Sequence, residues 1–292
     1  MSTSSTHVKK NYKLALFSVS FLVAGLSMSN IASAAWPEGM TSVTTKEFKI
    51  SDIHIPKGNK PILCRSMRLR SLDVIPDGQI GIHSHENRPA ILTVVDGSGM
   101  RVSAWHKPDV DVKYAESYAE LNNIVHYAVN LSAMEQLTLT TFDLLDNGKA
   151  CNGKIYPQNT PLATKLKKNR DPFFLSAPKG GSDEKNNPLY EVPLSDIHLP
   201  KGAVPLSERI MRARKVTLQP GMTVPKQDYR NTPSFLYVIK GKMTIDTAKT
   251  GESQLSALQS INLVNDNNVV ISNKTNKPLS WFVYELISSD KG

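Results

Sequence analysis

The chain has 292 residues, a formal net charge of +9 and two cysteines. That length suits one large or two ordinary domains. Two cysteines without a CxxC pair exclude a structural zinc site of four thiolates, and nothing interleaves basic and aromatic residues as nucleic-acid binders do, so no nucleic-acid partner is expected.

The first segment reads as an export signal. Lys9, Lys10 and Lys13 precede a short apolar run, Leu14 to Gly25, and Ala32-Ser33-Ala34 has the small residues of a cleavage site. The run is shorter than the roughly 20 residues of a membrane span, so residues 1–34 are expected to leave with no stable membrane insertion afterwards. A periplasmic or secreted protein of about 258 residues remains, with a net charge of about +6. In that setting Cys64 and Cys151 invite a disulfide across the first half of the chain, two free thiols being the alternative.

Past the leader, the sequence repeats itself. Ser51 to Gly58 reads SDIHIPKG and Ser195 to Gly202 reads SDIHLPKG, 144 residues apart. Met67-Arg68-Leu69-Arg70 answers Met211-Arg212-Ala213-Arg214, Asn87-Arg88-Pro89 answers Asn231-Thr232-Pro233, and Gly97 answers Gly241. Two copies mark a duplicated domain, not a solenoid. Ile91 to Val95 and Phe235 to Ile239 are short apolar runs ending in the turn signals Asp96-Gly97 and Lys240-Gly241, and Leu137 to Leu144 nearly alternates with a strand's period of two. Many short strands with regular turns predict an all-β fold of sandwich or barrel type. The expected domains are 45–151 and 188–289. Residues 152–187 between them are rich in Pro, Gly, Lys and Asn, include the basic run Lys165 to Arg170, and read as a linker.

The chemistry is concentrated in the first copy. His83 and His85 are two apart on an expected strand, so both rings share one face while Ser84 and Glu86 face the other way. His126 lies about 40 residues on, in a later strand. In a closed barrel such strands can be neighbours, and three imidazoles would meet inside.

Gly78, His83, His85 and Gly97 resemble the first motif of the cupin superfamily, and His126 with Asn130 resembles the H-x3-N of its second. The likeness implies two tandem cupin-type jelly-roll barrels, with a divalent metal (Fe, Mn, Zn, Ni or Cu) held by His83, His85 and His126 in the first. The motif glutamate would fall at 89 or 90, where Pro89 and Ala90 stand. Ala115, Leu121 and Asn123 stand where Gly, Pro and Gly are usual. A neutral three-histidine set is therefore expected, as in some cupin dioxygenases. Arg88 and His106 are candidate substrate contacts. In the second copy Gln227, Tyr229 and Val269 replace the three histidines, so no metal is expected there. Tyr229, Gln227 and Trp281 either line a small cavity or fill the core. The layout, one live barrel and one decayed, is similar to that of pirin-like and quercetin-dioxygenase-like proteins. It implies a metal-dependent oxidoreductase or isomerase acting on a small organic molecule; the alternative is a non-catalytic exported metal or small-molecule binder. A homodimer is compatible, although two barrels in one chain can already supply the usual contact.

Overall fold

The computed structural model describes residues 38–85, 88–121, 124–156, 171–178 and 183–289. The leader and the basic run at 165–170 lie outside them, as does Glu86. Within the described residues no helix is long and apolar enough to cross a membrane.

The described residues form eighteen strands, one short α-helix and four single-turn 3-10 helices. The first repeat contains β1 (Met40–Lys49), β2 (Ser66–Val74), β3 (Gln79–Ser84), β4 (Ala90–Asp96), β5 (Gly99–Ala104), β6 (Val110–Lys113), β7 (Ser117–Glu120), β8 (Val125–Asn130) and β9 (Leu137–Leu145). Helix α1 (Pro172–Ser176) follows. The second repeat contains β10 (Glu184–Pro193), β11 (Ile210–Leu218), β12 (Thr223–Gln227), β13 (Ser234–Lys240), β14 (Lys242–Thr247), β15 (Gly251–Ser256), β16 (Ser260–Asn262), β17 (Val269–Ser272) and β18 (Leu279–Ile287).

The strands assemble into four antiparallel sheets. The first barrel combines the sheet β10-β2-β9-β4-β7 with the sheet β3-β8-β5-β6, and the second combines β1-β11-β18-β13-β16 with β12-β17-β14-β15. The opening strand of each repeat lies in the other repeat's sheet. β1 runs beside β11 from Met40↔Leu218 to Lys49↔Ile210, and β10 runs beside β2 from Glu184↔Val74 to Pro193↔Ser66. Residues 45–49 of the first repeat, and 188–193 of the second, therefore pair outside their own copy.

This arrangement explains why the central strands are apolar on both faces. One face of β2, β4 and β9 presents Met67, Leu69, Ile91 and Phe142 to Met211, Phe235, Phe282 and Tyr284 of the second barrel, in one buried cluster. Their other face, with Leu72, Leu92, Val94 and Leu139, fills the first barrel together with Met100 and Val102 of β5. The second barrel has its own closed core, to which Tyr229 and Trp281 both belong. Of the two readings of those aromatics, the structure supports core filling.

The repeat is preserved in its hidden fittings. Gly97 and Gly241 have φ of +89° and +83°, and a Cβ on either would come within 2.7 and 2.8 Å of a backbone oxygen, that of Gln136 or Pro278. Asn130 donates through Nδ2 to the carbonyls of Ile75 and Glu135, and Asn273 donates in the same way to Leu218 and Lys277. The asparagine, Asn130 or Asn273, therefore staples a turn in each copy, independently of the histidine that precedes it in the first. Cys64 and Cys151 are joined by a disulfide, with Cα atoms 5.6 Å apart.

Candidate metal centre

β3 and β8 are hydrogen-bonded neighbours, and the register sets His83 directly opposite His126. A register shift between Ile80 and His83 re-aims the end of β3. His85 follows the strand, anchored by its N–H to the carbonyl of Ile124 at 2.9 Å. The three rings converge, with centroids 5.0 Å apart for His83 and His85, 4.3 Å for His83 and His126, and 5.2 Å for His85 and His126.

A fourth group completes the cluster. Glu120, the last residue of β7, is 1% exposed, and its carboxylate oxygens lie 3.1 Å from His85 Nε2 and 3.3 Å from His126 Nε2. One ligand atom from each of His83, His85, Glu120 and His126 lies within 4.8 Å of all the others. Where a carboxylate-free set of three histidines was expected, a carboxylate lies among the rings. The reason is a cross-strand exchange: β7 pairs with β4 so that Glu120 faces Ala90, one of the two positions where the motif glutamate would stand. Directly opposed residues share a face with Cβ atoms about 5 Å apart, so a carboxylate from β7 reaches the space left by the alanine on β4. The signal in the sequence was a register, not a motif. Carried across the repeat, Glu120 corresponds to Leu263, whose N–H bonds to the carbonyl of Ser234, the counterpart of Ala90.

The hydrogen bonds around the rings set their protonation. His83 donates from Nδ1 to the carbonyl of Gly81 at 2.8 Å, and His85 from Nδ1 to the carbonyl of Arg88 at 2.7 Å. A neutral imidazole carries one N–H, so both Nε2 atoms present lone pairs, 3.1 Å from each other. Burial holds His83 down to about 4 and His85 and His126 well below the ordinary histidine value, with the Arg88 charge adding to the effect. Burial pushes the Glu120 carboxyl up to about 7, against the pull of Arg88 and Arg70. Both Glu120 oxygens and both ring nitrogens of His126 are buried without a hydrogen-bond partner. Lone pairs facing one another at this range repel. A divalent cation among them would replace that repulsion with four bonds, and ligating imidazoles commonly donate the N–H of their other ring nitrogen to a carbonyl, as His83 and His85 do. The residues present therefore fit a divalent metal, and three nitrogens with one oxygen remain compatible with Fe, Mn, Zn, Ni or Cu.

A cavity of about 450 Å³ opens beside the cluster, lined by His83, His126 and Glu120, by apolar side chains including Leu72 and Leu92, and by Arg70 and Arg88. Arg88 is thus at the cavity. His106 is not among its lining residues: it lies exposed in a turn after β5 at φ +57°, with its ring 4.2 Å from Trp105. Helix α1 packs on the outer face of the β3/β8 sheet, where Phe174 meets Val125, Ile82 and Trp105, and Asp171 both caps the helix and accepts the Trp105 indole N–H at 3.1 Å.

The second barrel repeats the register without the ligands. Gln227 pairs with Val269 as His83 pairs with His126, Tyr229 is buried in the core with its hydroxyl pushed up to about 12 by burial, and Leu263 is fully buried.

No protein-family model matches the chain, and no curated protein matches its sequence. Solved structures do resemble it in architecture. AerE from Microcystis aeruginosa matches at 9% identity over 77% of this chain and 93% of its own, with a TM-score of 0.46. Oxalate decarboxylase from Lactobacillus farciminis matches at 14% identity over 84% and 87%, TM-score 0.48. Salicylate 1,2-dioxygenase from Pseudaminobacter salicylatoxidans matches at 12% over 74% and 71%, TM-score 0.43. The chain's own sheets make it an all-β protein of two tandem antiparallel barrels. At such identities the likeness concerns fold and carries no activity across.

Proposed function

We propose that this protein uses a divalent metal, held by His83, His85, His126 and Glu120, to act on a small organic molecule in its first barrel. The second barrel is its support. The observation that carries this reading is the convergence of unprotonated Nε2 atoms and a buried carboxylate on one point beside a cavity of about 450 Å³. When bound, the ion would supply Lewis-acid or redox chemistry to a ligand in that cavity. The chain supplies the rest: Gly81 and Arg88 carbonyls fix the tautomers of two imidazoles, the apolar wall excludes water, and Arg70 and Arg88 bring positive charge. A dioxygenase-like or isomerase-like reaction suits such a site. Export belongs to the same proposal, supported by the leader-like residues 1–34 and by a disulfide, which persists in oxidising compartments.

The test is oxygen uptake and product formation by the full chain loaded with iron, manganese, zinc, nickel or copper in turn, against a panel of small organic acids, enols and sugars. Turnover that disappears in His83→Ala is expected. Stoichiometric metal with no turnover across the panel would favour the non-catalytic binder.

A further inference from the structure

The two barrels hold the same pair of arginines and use them differently. In the second, Arg212 and Arg214 both donate through Nε to Glu285 Oε1, at 2.8 and 2.6 Å. In the first, the counterparts are Arg68 and Arg70, and the carboxylate is Asp143, one methylene shorter. Arg68 takes both of its oxygens, at 3.0 and 2.6 Å. Arg70 is left with neutral oxygens, Thr141 Oγ1 at 2.7 Å and Asn186 Oδ1 at 3.3 Å. Arg88 is a further cation, where the second copy has Thr232. Its Nε is buried without a hydrogen-bond partner, 3.6 Å from an Asp143 oxygen that Arg68 already holds.

Both Arg70 and Arg88 line the cavity beside the metal centre. Around it, Arg68, Arg70 and Arg88 face Asp143, Glu120 and Glu184, so a divalent ion would leave an excess of positive charge in a partly buried space. Such a space favours an anion, and a guanidinium fork matches a carboxylate. Glu184 comes from the exchanged strand β10 and also lines the cavity, with Oε2 buried and unpartnered. It repels a second carboxylate on the same ligand. Leu72, Ile80, Leu92 and Ala128 offer an apolar wall.

We infer that this cavity takes a monocarboxylate with an apolar body, its carboxylate clamped by Arg70 and Arg88 beside the metal. The inference rests on the metal-centre reading and gives it a ligand class. The Asp143-for-Glu285 difference supplies its test. Benzoate, with benzamide as the uncharged counterpart, is titrated calorimetrically into the zinc-loaded full chain, and zinc content and thermal midpoint are read on the same samples. Benzoate is expected to bind at least about 10-fold more tightly than benzamide. Arg70→Met and Arg88→Thr should each weaken benzoate about 10- to 100-fold without loss of zinc. Asp143→Glu, which rebuilds the second barrel's arrangement and keeps every arginine, should also weaken it by drawing Arg70 off the cavity. Equal binding of benzoate and benzamide overturns the clamp, as does wild-type benzoate affinity in the folded arginine variants. Protein that holds zinc and ignores benzoate keeps the metal centre and loses the clamp. Protein that holds no zinc yet binds benzoate through both arginines keeps the clamp and loses the metal centre.

Discussion

Glu120 faces Ala90 across two hydrogen-bonded strands, and that pairing brings a carboxylate into the proposed ligand set. A carboxylate that reaches the centre from β7 should be as necessary as the histidines. Glu120→Gln keeps the volume and removes the charge, so metal affinity should fall at least about 10- to 100-fold, as measured by competition with a chelator. Moving the carboxylate back across the pair, in the double variant Glu120→Ala with Ala90→Glu, should recover much of that loss. If Glu120→Gln binds metal as the parent does, the carboxylate is not a ligand. The three histidines were legible in the sequence because a period of two puts His83 and His85 on one face and His126 falls on a later strand that a closed barrel can set beside them. Glu120 was not legible in that way. Its partner lies 30 positions away in sequence, and only the β4–β7 register brings the two side chains to one place.

At the scale of the element, the turn entering β7 and its counterpart in the second copy share a conformation that the residues resist. Ala115 has φ +63° and Leu258 has φ +66°. Each donates its N–H to the equivalent carbonyl of the facing strand, Val94 or Val238. A left-handed conformation costs an L-residue about 1–2 kcal/mol, part of which glycine would return as unfolded-state entropy. Leu258 is 47% exposed, so little burial is at stake. Leu258→Gly should therefore stabilise the protein by about 0.5–1 kcal/mol in denaturant titration, and a loss of stability would show that the side chain, not the backbone, governs the turn. The sequence pointed to the site of this strain, since Ala115 stands where a glycine is usual in the resembling family, but not to its sign or its repetition at Leu258.

At the scale of the whole molecule, the repeat announced two copies but concealed how they are joined. Each copy's first strand carries the same pattern wherever it docks, and the strands on either side of the exchange, β2 and β11, are themselves repeats of each other. Only the three-dimensional path separates pairing within a copy from pairing across copies. Because β1 completes the second barrel and β10 the first, and because Phe142, Phe235 and Tyr284 share one cluster, neither barrel is closed without the other. Calorimetry should show one unfolding transition whose calorimetric and van't Hoff enthalpies agree. Two resolved transitions would mean that the barrels fold apart. The disulfide adds a constraint within the first barrel, closing a loop with a sequence separation of 87. Its reduction, or Cys64→Ser with Cys151→Ser, should cost about 2–5 kcal/mol, and non-reducing peptide mapping should recover the two cysteines in one linked species.

The proposed chemistry depends on an ion seated among four side chains drawn from β3, the residue after it, β7 and β8. Its most direct test is the metal content, by elemental mass spectrometry, of the full chain purified gently, replete and then desalted, beside the His83→Ala, His85→Ala double variant. One equivalent of a transition metal per chain, absent from a double variant that still unfolds cooperatively, is the predicted result. A wild-type protein with no stoichiometric metal, or a double variant that retains as much as the parent, would contradict it.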